Sequence, residues 1–218
     1  MKWLCLTLGA VLLGHLPVAA DTIYQINAQG KQVIYQRDAI VVDEDSSSIT
    51  YKHFDLPERR VVKVRLSKGS LPYIIDTSSA EDRQQIVGIW KRFGYKATVI
   101  DQAGKITQVF DAYIDYYPPG GRGSLLESIP ATTHFPLLLS NGAADVIEFS
   151  KIDRIDIQGD VFRITLREGP VQQGKYLYPT TNPVEARFLG ITDKYNPASD
   201  EVFDFSMPLL QLKQISFQ

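Results

Sequence analysis

A mainly β fold is what this chain predicts, built of tandem small five-stranded barrels, three related β units in all, with one connecting α-helix. Three observations carry that expectation: an alternating apolar phrase that recurs along the chain, glycine-bearing turns that recur upstream of it, and a single segment with helical spacing and a marker at each end.

The phrase is DVIEFSKIDRIDI at 145–157 and EVFDFSMPLLQLKQISF at 201–217. Val146, Ile147 and Phe149 align with Val202, Phe203 and Phe205, and after four extra residues in the second copy Ile152, Ile155 and Ile157 align with Leu212, Ile215 and Phe217. A third copy lies in 49–66, where Phe54, Leu56, Pro57, Val61, Val64 and Leu66 fall without a gap on Phe205, Met207, Pro208, Leu212, Ile215 and Phe217. An alternating run ending in Phe is a half-buried strand, since side chains along a strand point to opposite faces. Proline and polar residues then break the ladder, and the spacing of three before the apolar positions resume fits one 3₁₀ turn leading into a second strand.

The upstream halves rhyme as well. Ile26-Asn-Ala-Gln-Gly30-Lys31 parallels Ile100-Asp-Gln-Ala-Gly104-Lys105, and RITLREGPVQQGKYLY at 163–178 repeats the idea with Gly169 and Gly174. In each, a strand runs into a turn whose glycine supplies a positive φ, and a second strand leaves it. The units are placed at 21–68, 95–158 and 159–218, each strand, turn, long strand, loop, strand, 3₁₀ turn, strand. Such a unit resembles the small β-barrels of the SH3-like and Sm-like type, on Phe54/Pro57/Val61/Val64, Phe149/Ile152/Ile155 and Phe205/Pro208/Leu212/Ile215. The likeness is architectural and implies a module that binds peptides, nucleic acids, glycans or sister modules, without selecting among them.

The linker 69–94 carries the helix, expected over 79–93. Ser79 and Asp82 approximate a capping box, Ile86, Ile89, Trp90 and Phe93 have helical spacing, Lys91 and Arg92 suit the last turn, and Gly94 stands where a terminating glycine belongs. An apolar stripe of this kind is more often core than docking face, so the helix is expected to plug the seam between barrels.

The first twenty residues, MKWLCLTLGAVLLGHLPVAA, read as a cleaved secretory signal: Lys2, then an apolar run, then small residues at the cleavage point, with the mature chain beginning near Asp21. No later stretch approaches the roughly 18 apolar residues of a membrane span. The only cysteine, Cys5, leaves with the signal, so the exported chain has no disulfide or thiolate metal site. Absence of an Asn-x-Ser/Thr sequon leans toward a bacterial envelope, periplasmic or surface-associated. Of 23 basic and 25 acidic residues, loss of Lys2 leaves 22 against 25, about −3, which argues against nucleic acid as a partner.

Candidate contact residues lie in two loops. DYYPPGGRGSLLESIPATTHF at 115–135 is a Pro- and Gly-rich insertion holding Tyr116, Tyr117, Arg122 and His134, with Tyr113 on its approach; YLYPTTNP at 176–183 holds Tyr176 and Tyr178. Tyrosines offer apolar bodies with polar tips, suited to protein or sugar contact. GGRG lacks the spacing of a phosphate loop, and SNGA at 140–143 reads as an Asn-Gly hairpin with type I′ preference. The DEDSSS run at 43–48 lacks calcium-loop spacing and is expected to be a solvated turn. His53 and His134, the histidines beyond the signal, sit in no catalytic or metal motif, and His53 is expected to face solvent. No catalytic residue, metal or cofactor is assigned. The expected function is a non-catalytic exported binding or assembly protein presenting β-barrel surfaces to an envelope protein or cell-wall polymer. The alternatives are a carboxylate-dependent periplasmic hydrolase and an oligomeric structural subunit, a homo-oligomer in the latter case.

Overall fold

The structure is a computed structural model and describes residues 20–118, 129–181 and 183–218. These residues are mainly β with one α-helix among them, as expected. The first unit runs past its expected end at 68 into the stretch expected to be linker, because a fifth strand there pairs with β1: it supplies β1 (Asp21–Ile26), β2 (Gln32–Glu44), β3 (Ser48–Asp55), β4 (Arg60–Ser67) and β5 (Tyr73–Asp76), followed by α1 (Ala80–Phe93). The second supplies β6 (Ala97–Asp101), β7 (Ile106–Tyr117), β8 (His134–Leu139), β9 (Ala144–Glu148) and β10 (Ile152–Gln158). The third supplies β11 (Val161–Leu166), β12 (Gln172–Tyr176), β13 (Glu185–Ile191), β14 (Phe205–Pro208) and β15 (Leu212–Phe217). Gly30, Gly104 and Gly169, in the turns after the first strand of each unit, all take positive φ (73°, 84° and 105°), so the repeated turn is a repeated conformation.

The first five strands form a sheet of their own in the order β4-β3-β2-β1-β5. The other two units do not close into separate barrels. Their ten strands form one sheet, in the order β14-β13-β7-β6-β15-β10-β11-β12-β8-β9. With strands numbered one to five within each unit, the first sheet runs 4-3-2-1-5. Each half of the large sheet runs the same way, but with strands drawn from both units. β7 of the second unit pairs with β13 of the third and β6 with β15, while β12 of the third pairs with β8 of the second and β11 with β10; β14 and β9 lie outside β13 and β8. The halves meet where one fifth strand lies antiparallel to the other, β10 on β15, with Ile155 directly opposite its sequence counterpart Ile215. The sheet curls until Ile114 of β7 and Thr132 before β8 exchange backbone hydrogen bonds of 2.8 Å in both directions. One apolar core, from Tyr95 to Phe217, fills both halves, with Phe149 packed on Phe217 at 4.5 Å between ring centres.

Two glycines permit the close approach at the exchange. Gly174 of β12 faces Leu139 of β8, and a Cβ there would lie 2.2 Å from the Leu138 carbonyl oxygen; at Gly190 of β13 a Cβ would lie 2.4 Å from Val109 Cγ1. Both glycines let strands of different units approach more closely than any side chain permits.

The repeated phrase survives in two of its three copies. Phe149–Lys151 and Leu209–Gln211 are 3₁₀ turns leading into β10 and β15. Phe149 corresponds to Leu209 rather than to Phe205: the two stretches align at a constant offset, and the extra residues precede β14 instead of interrupting the phrase. The third copy, at 49–66, differs. There Leu56–Arg59 form a reversing turn with Arg59 at φ 52°, and Phe54 pairs with Val61 across the β3–β4 hairpin. The spacing of apolar residues is the same, but a four-residue turn sends the chain back along itself where a 3₁₀ turn redirects it.

Helix α1 has its full capping box: Ser79 Oγ accepts from the Asp82 amide at 3.1 Å, and the Asp82 carboxylate accepts from the Ser79 amide. Its buried residues are Ile86, Val87 and Trp90, packed with Ile40 and Val61 of the small sheet, Ile191 of the large one and Tyr195 of the loop after β13, so it fills the seam between sheets. Phe93 is exposed instead of completing the stripe. Gly94 ends the helix without a left-handed turn (φ −71°), and its lack of a side chain serves proximity, since a Cβ would sit 2.7 Å from Asp111 Cα. The Asn-Gly turn likewise departs from type I′: Gly142 alone takes positive φ (81°), and Asn141 Oδ1 accepts from the Ala143 amide. No described helix is long and apolar enough to cross a membrane.

Candidate binding surface

Strand β7 decides the fate of the candidate tyrosines, because alternate residues leave it in opposite directions. Ala112, Ile114 and Tyr116 enter the main core, whereas Tyr113 and Tyr117 pack with Leu189, Val202 and Phe203 on the other face. Tyr116 and Tyr117, neighbours in sequence, therefore do not share a surface. Tyr117 is buried with its ring 6.5 Å from Phe203.

Tyr116 instead meets the second loop. Its hydroxyl lies 2.8 Å from that of Tyr176, and its ring is edge-on to Tyr178 at 5.7 Å. Tyr176 in turn stands edge-on to Phe135 at 5.1 Å, so an aromatic column climbs from the core to Tyr178, which is 39% exposed. Burial pushes the Tyr116 hydroxyl up to about 12 and that of Tyr176 well above its usual value, so both stay protonated and one donates to the other. The column makes Tyr178 an outward-facing ring held by two rings beneath it; Tyr116 and Tyr117 end β7 and Tyr176 ends β12, so of the tyrosines expected in loops Tyr178 alone lies in one.

The other expected residues are not brought there. His134, half-buried at the start of β8, pairs with Glu148 of β9. The Glu148 carboxyl, held low first by the Tyr95 hydroxyl that donates to it at 2.7 Å, is lowered further by that histidine. Arg122 lies outside the described residues.

Three buried polar groups carry no motif in the sequence. Lys52, fully buried, donates to Tyr195 Oη (2.8 Å), Pro197 O (2.9 Å) and Ser199 O (2.6 Å), pinning the 195–201 loop onto the small sheet. Burial pushes it down to about 8, which leaves the ammonium dominant at neutral pH and matched to its carbonyl acceptors. His53 beside it is half-buried, its ring 5.7 Å from Tyr51, rather than facing solvent. Asp111, at φ 50° and fully buried, accepts from the Val61 amide through both oxygens (3.1 and 3.0 Å), taking one outward donor of the edge strand β4. Burial pushes its carboxyl well above the usual range. Asp115, 6% exposed on the same strand, is pushed up to about 6 by burial, against the pull of the Tyr116 amide it accepts from. A strand of alternating Asp and Tyr reads as a wet face in sequence; only the overlying 195–203 segment reveals it as covered.

The DEDSSS run is the solvated turn expected of it: Asp45 accepts from the Ser47 hydroxyl and from the Ser47 and Ser48 amides, which together hold its carboxyl far below the usual range. Among the described residues no group of three His, Cys, Asp or Glu side chains is placed to hold a metal ion. Compared with family models, curated proteins and solved structures, the chain matches none.

Proposed function

We propose that this chain is a non-catalytic binding or assembly protein, exported to a cell envelope, that presents β surfaces to an envelope protein or cell-wall polymer. The observation that carries the reading is the supported, exposed ring of Tyr178 on the buried Tyr116–Tyr176 pair. A rigid tyrosine loses little conformational freedom on binding, and its amphipathic ring suits a peptide or a sugar alike. The same reading treats the five-stranded sets as SH3-like modules in tandem, two of them built from exchanged halves.

The test is recovery of partners from an envelope extract on immobilised protein. Tyr178→Ala is expected to reduce recovery of the bound component at least tenfold while leaving the melting temperature unchanged, since the ring is a surface group. Undiminished recovery by a folded variant contradicts the assignment of this surface.

A further inference from the structure

The small sheet has two edges, and the chain treats them differently. At the β4 edge the Asp111 carboxylate takes the outward amide of Val61. The β5 edge has no strand beside it among the described residues. Its hydrogen-bonding sense is fixed by one contact: the Ile26 amide donates to the Pro72 carbonyl at 2.9 Å, so Pro72, Ile74 and Asp76 turn their backbone groups toward β1, and Tyr73 and Ile75 turn theirs outward.

Elsewhere in the same molecule a fifth strand in the 4-3-2-1-5 order never ends a sheet. β10 and β15 lie antiparallel to each other about Ile155 and Ile215, giving the large sheet the order 4-3-2-1-5-5-1-2-3-4. β5 is the one fifth strand without that partner among the described residues. The surface beside it is apolar: Ile34, Tyr24 and Ile74 form a row across three strands, with Ile74 46% and Ile34 43% exposed and Leu71 exposed nearby. Soluble proteins blunt open edges by keeping them short or with charge, proline or a bulge; here Pro72 and Asp76 bound a strand of four residues, but its outward-bonding positions, Tyr73 and Ile75, carry neither charge nor proline.

We propose that a second copy of this chain occupies the β5 edge, the two fifth strands pairing antiparallel about a two-fold axis at Ile74. This register lets Tyr73 exchange two hydrogen bonds with Ile75 of the other copy and Ile75 two with its Tyr73. It sets the two Ile74 side chains directly opposite in a non-hydrogen-bonded pair, where side chains approach most closely. The two apolar rows then join into one stripe across a ten-stranded sheet, repeating between molecules the seam that β10 and β15 make within one. Four residues span only about 13 Å of ladder, well short of the roughly 800 Å² per partner of a standard interface even with the stripe added, so the dimer is weak and forms in the micromolar range. The proposal is independent of the Tyr178 surface, and Tyr178→Ala leaves the dimer intact.

The experiment is sedimentation velocity on the purified chain from 1 to 200 μM, with Ile74→Lys, and oxidative cross-linking of Ile74→Cys against Ile106→Cys. Ile106 is 65% exposed on β7 and controls for random collision and for Cys5. The expected result is a concentration-dependent dimer, at least a tenfold weaker constant for Ile74→Lys, and a disulfide dimer formed by Ile74→Cys well ahead of Ile106→Cys. A chain that stays monomeric throughout overturns the proposal. So does a dimer that Ile74→Lys leaves unchanged, or equal cross-linking by the two cysteine variants.

Discussion

The small N-terminal sheet and the large C-terminal one share a strand order, yet the first is made by one unit alone and the second by two units that exchange their halves. In the small sheet neighbours in sequence are neighbours in space, through the β1–β2, β2–β3 and β3–β4 hairpins. In the large one, the second strand of each unit pairs with the third strand of the other. The difference teaches that a repeat specifies which positions pair, not which copy supplies the partner. Exchange gives the two C-terminal units one shared core, while the N-terminal unit is left to dock through α1, Lys52 and Asp111.

The comparison breaks most sharply at Phe149. Its ring touches Tyr95, Phe188 and Phe217, from segments of both units, so Phe149→Ala is expected to cost about 3–5 kcal/mol and to lower the whole large sheet in a single transition. Chemical denaturation followed by circular dichroism and by tyrosine fluorescence checks it; two separate transitions in the large sheet would contradict a shared core. Docking of the small sheet is probed by Lys52→Met, which leaves buried carbonyls unpartnered and is expected to cost about 3 kcal/mol, with faster amide exchange confined to 195–201 and the facing β3.

Asp115 sharpens the comparison through pH. Its folded pKa of about 6 lies above the ordinary carboxyl value of 3.8, so the neutral form is the one the fold prefers. The penalty is absent below pH 4, grows as pH rises from 4 to 6 and is constant above, where it reaches on the order of 2–3 kcal/mol. Asp115→Asn should match the wild type at pH 4 and exceed it by up to that amount at pH 7, measured by denaturation at each pH. At a crossing point of the exchange, Gly174→Ala sets a Cβ 2.2 Å from the Leu138 carbonyl oxygen, which only a backbone shift relieves, and should destabilise by about 3 kcal/mol or more; the smallest effect is expected of Gly88→Ala, which on open helix surface should be neutral or stabilising.

Much of the fold was legible from residues. The helix with its N-terminal capping box, the three turn glycines and the 3₁₀ turns of the two C-terminal copies come from local spacing, because local backbone geometry answers to local chemistry; the left-handed cap at Gly94 and the match of Phe149 to Phe205 do not hold. The 49–66 copy misled because V-x-x-V-x-L spacing is shared by a hairpin strand and a strand after a 3₁₀ turn; Leu56-Pro57-Glu58-Arg59 is the stretch that distinguishes them. Exchange left no mark beyond Gly174 and Gly190, whose meaning depends on what lies opposite. At the surface, sequence placed six residues in one class, and pairing separated them. Tyr116, Tyr176 and Tyr178 gather, Tyr117 turns away with β7, and His134 stays beside Glu148. Lys52, Asp111 and Asp115 escaped notice because a charged residue in a strand reads as solvent-facing until something from far along the chain covers it.

The exchange itself is tested most directly by backbone nuclear Overhauser contacts in the isotopically labelled chain. The account predicts cross-strand contacts between Ile114 and Phe188 and between Leu138 and Lys175, which are paired residues of different units. Contacts running the length of β7 against β8, and of β12 against β13, would mean that each unit closes on itself and would contradict it.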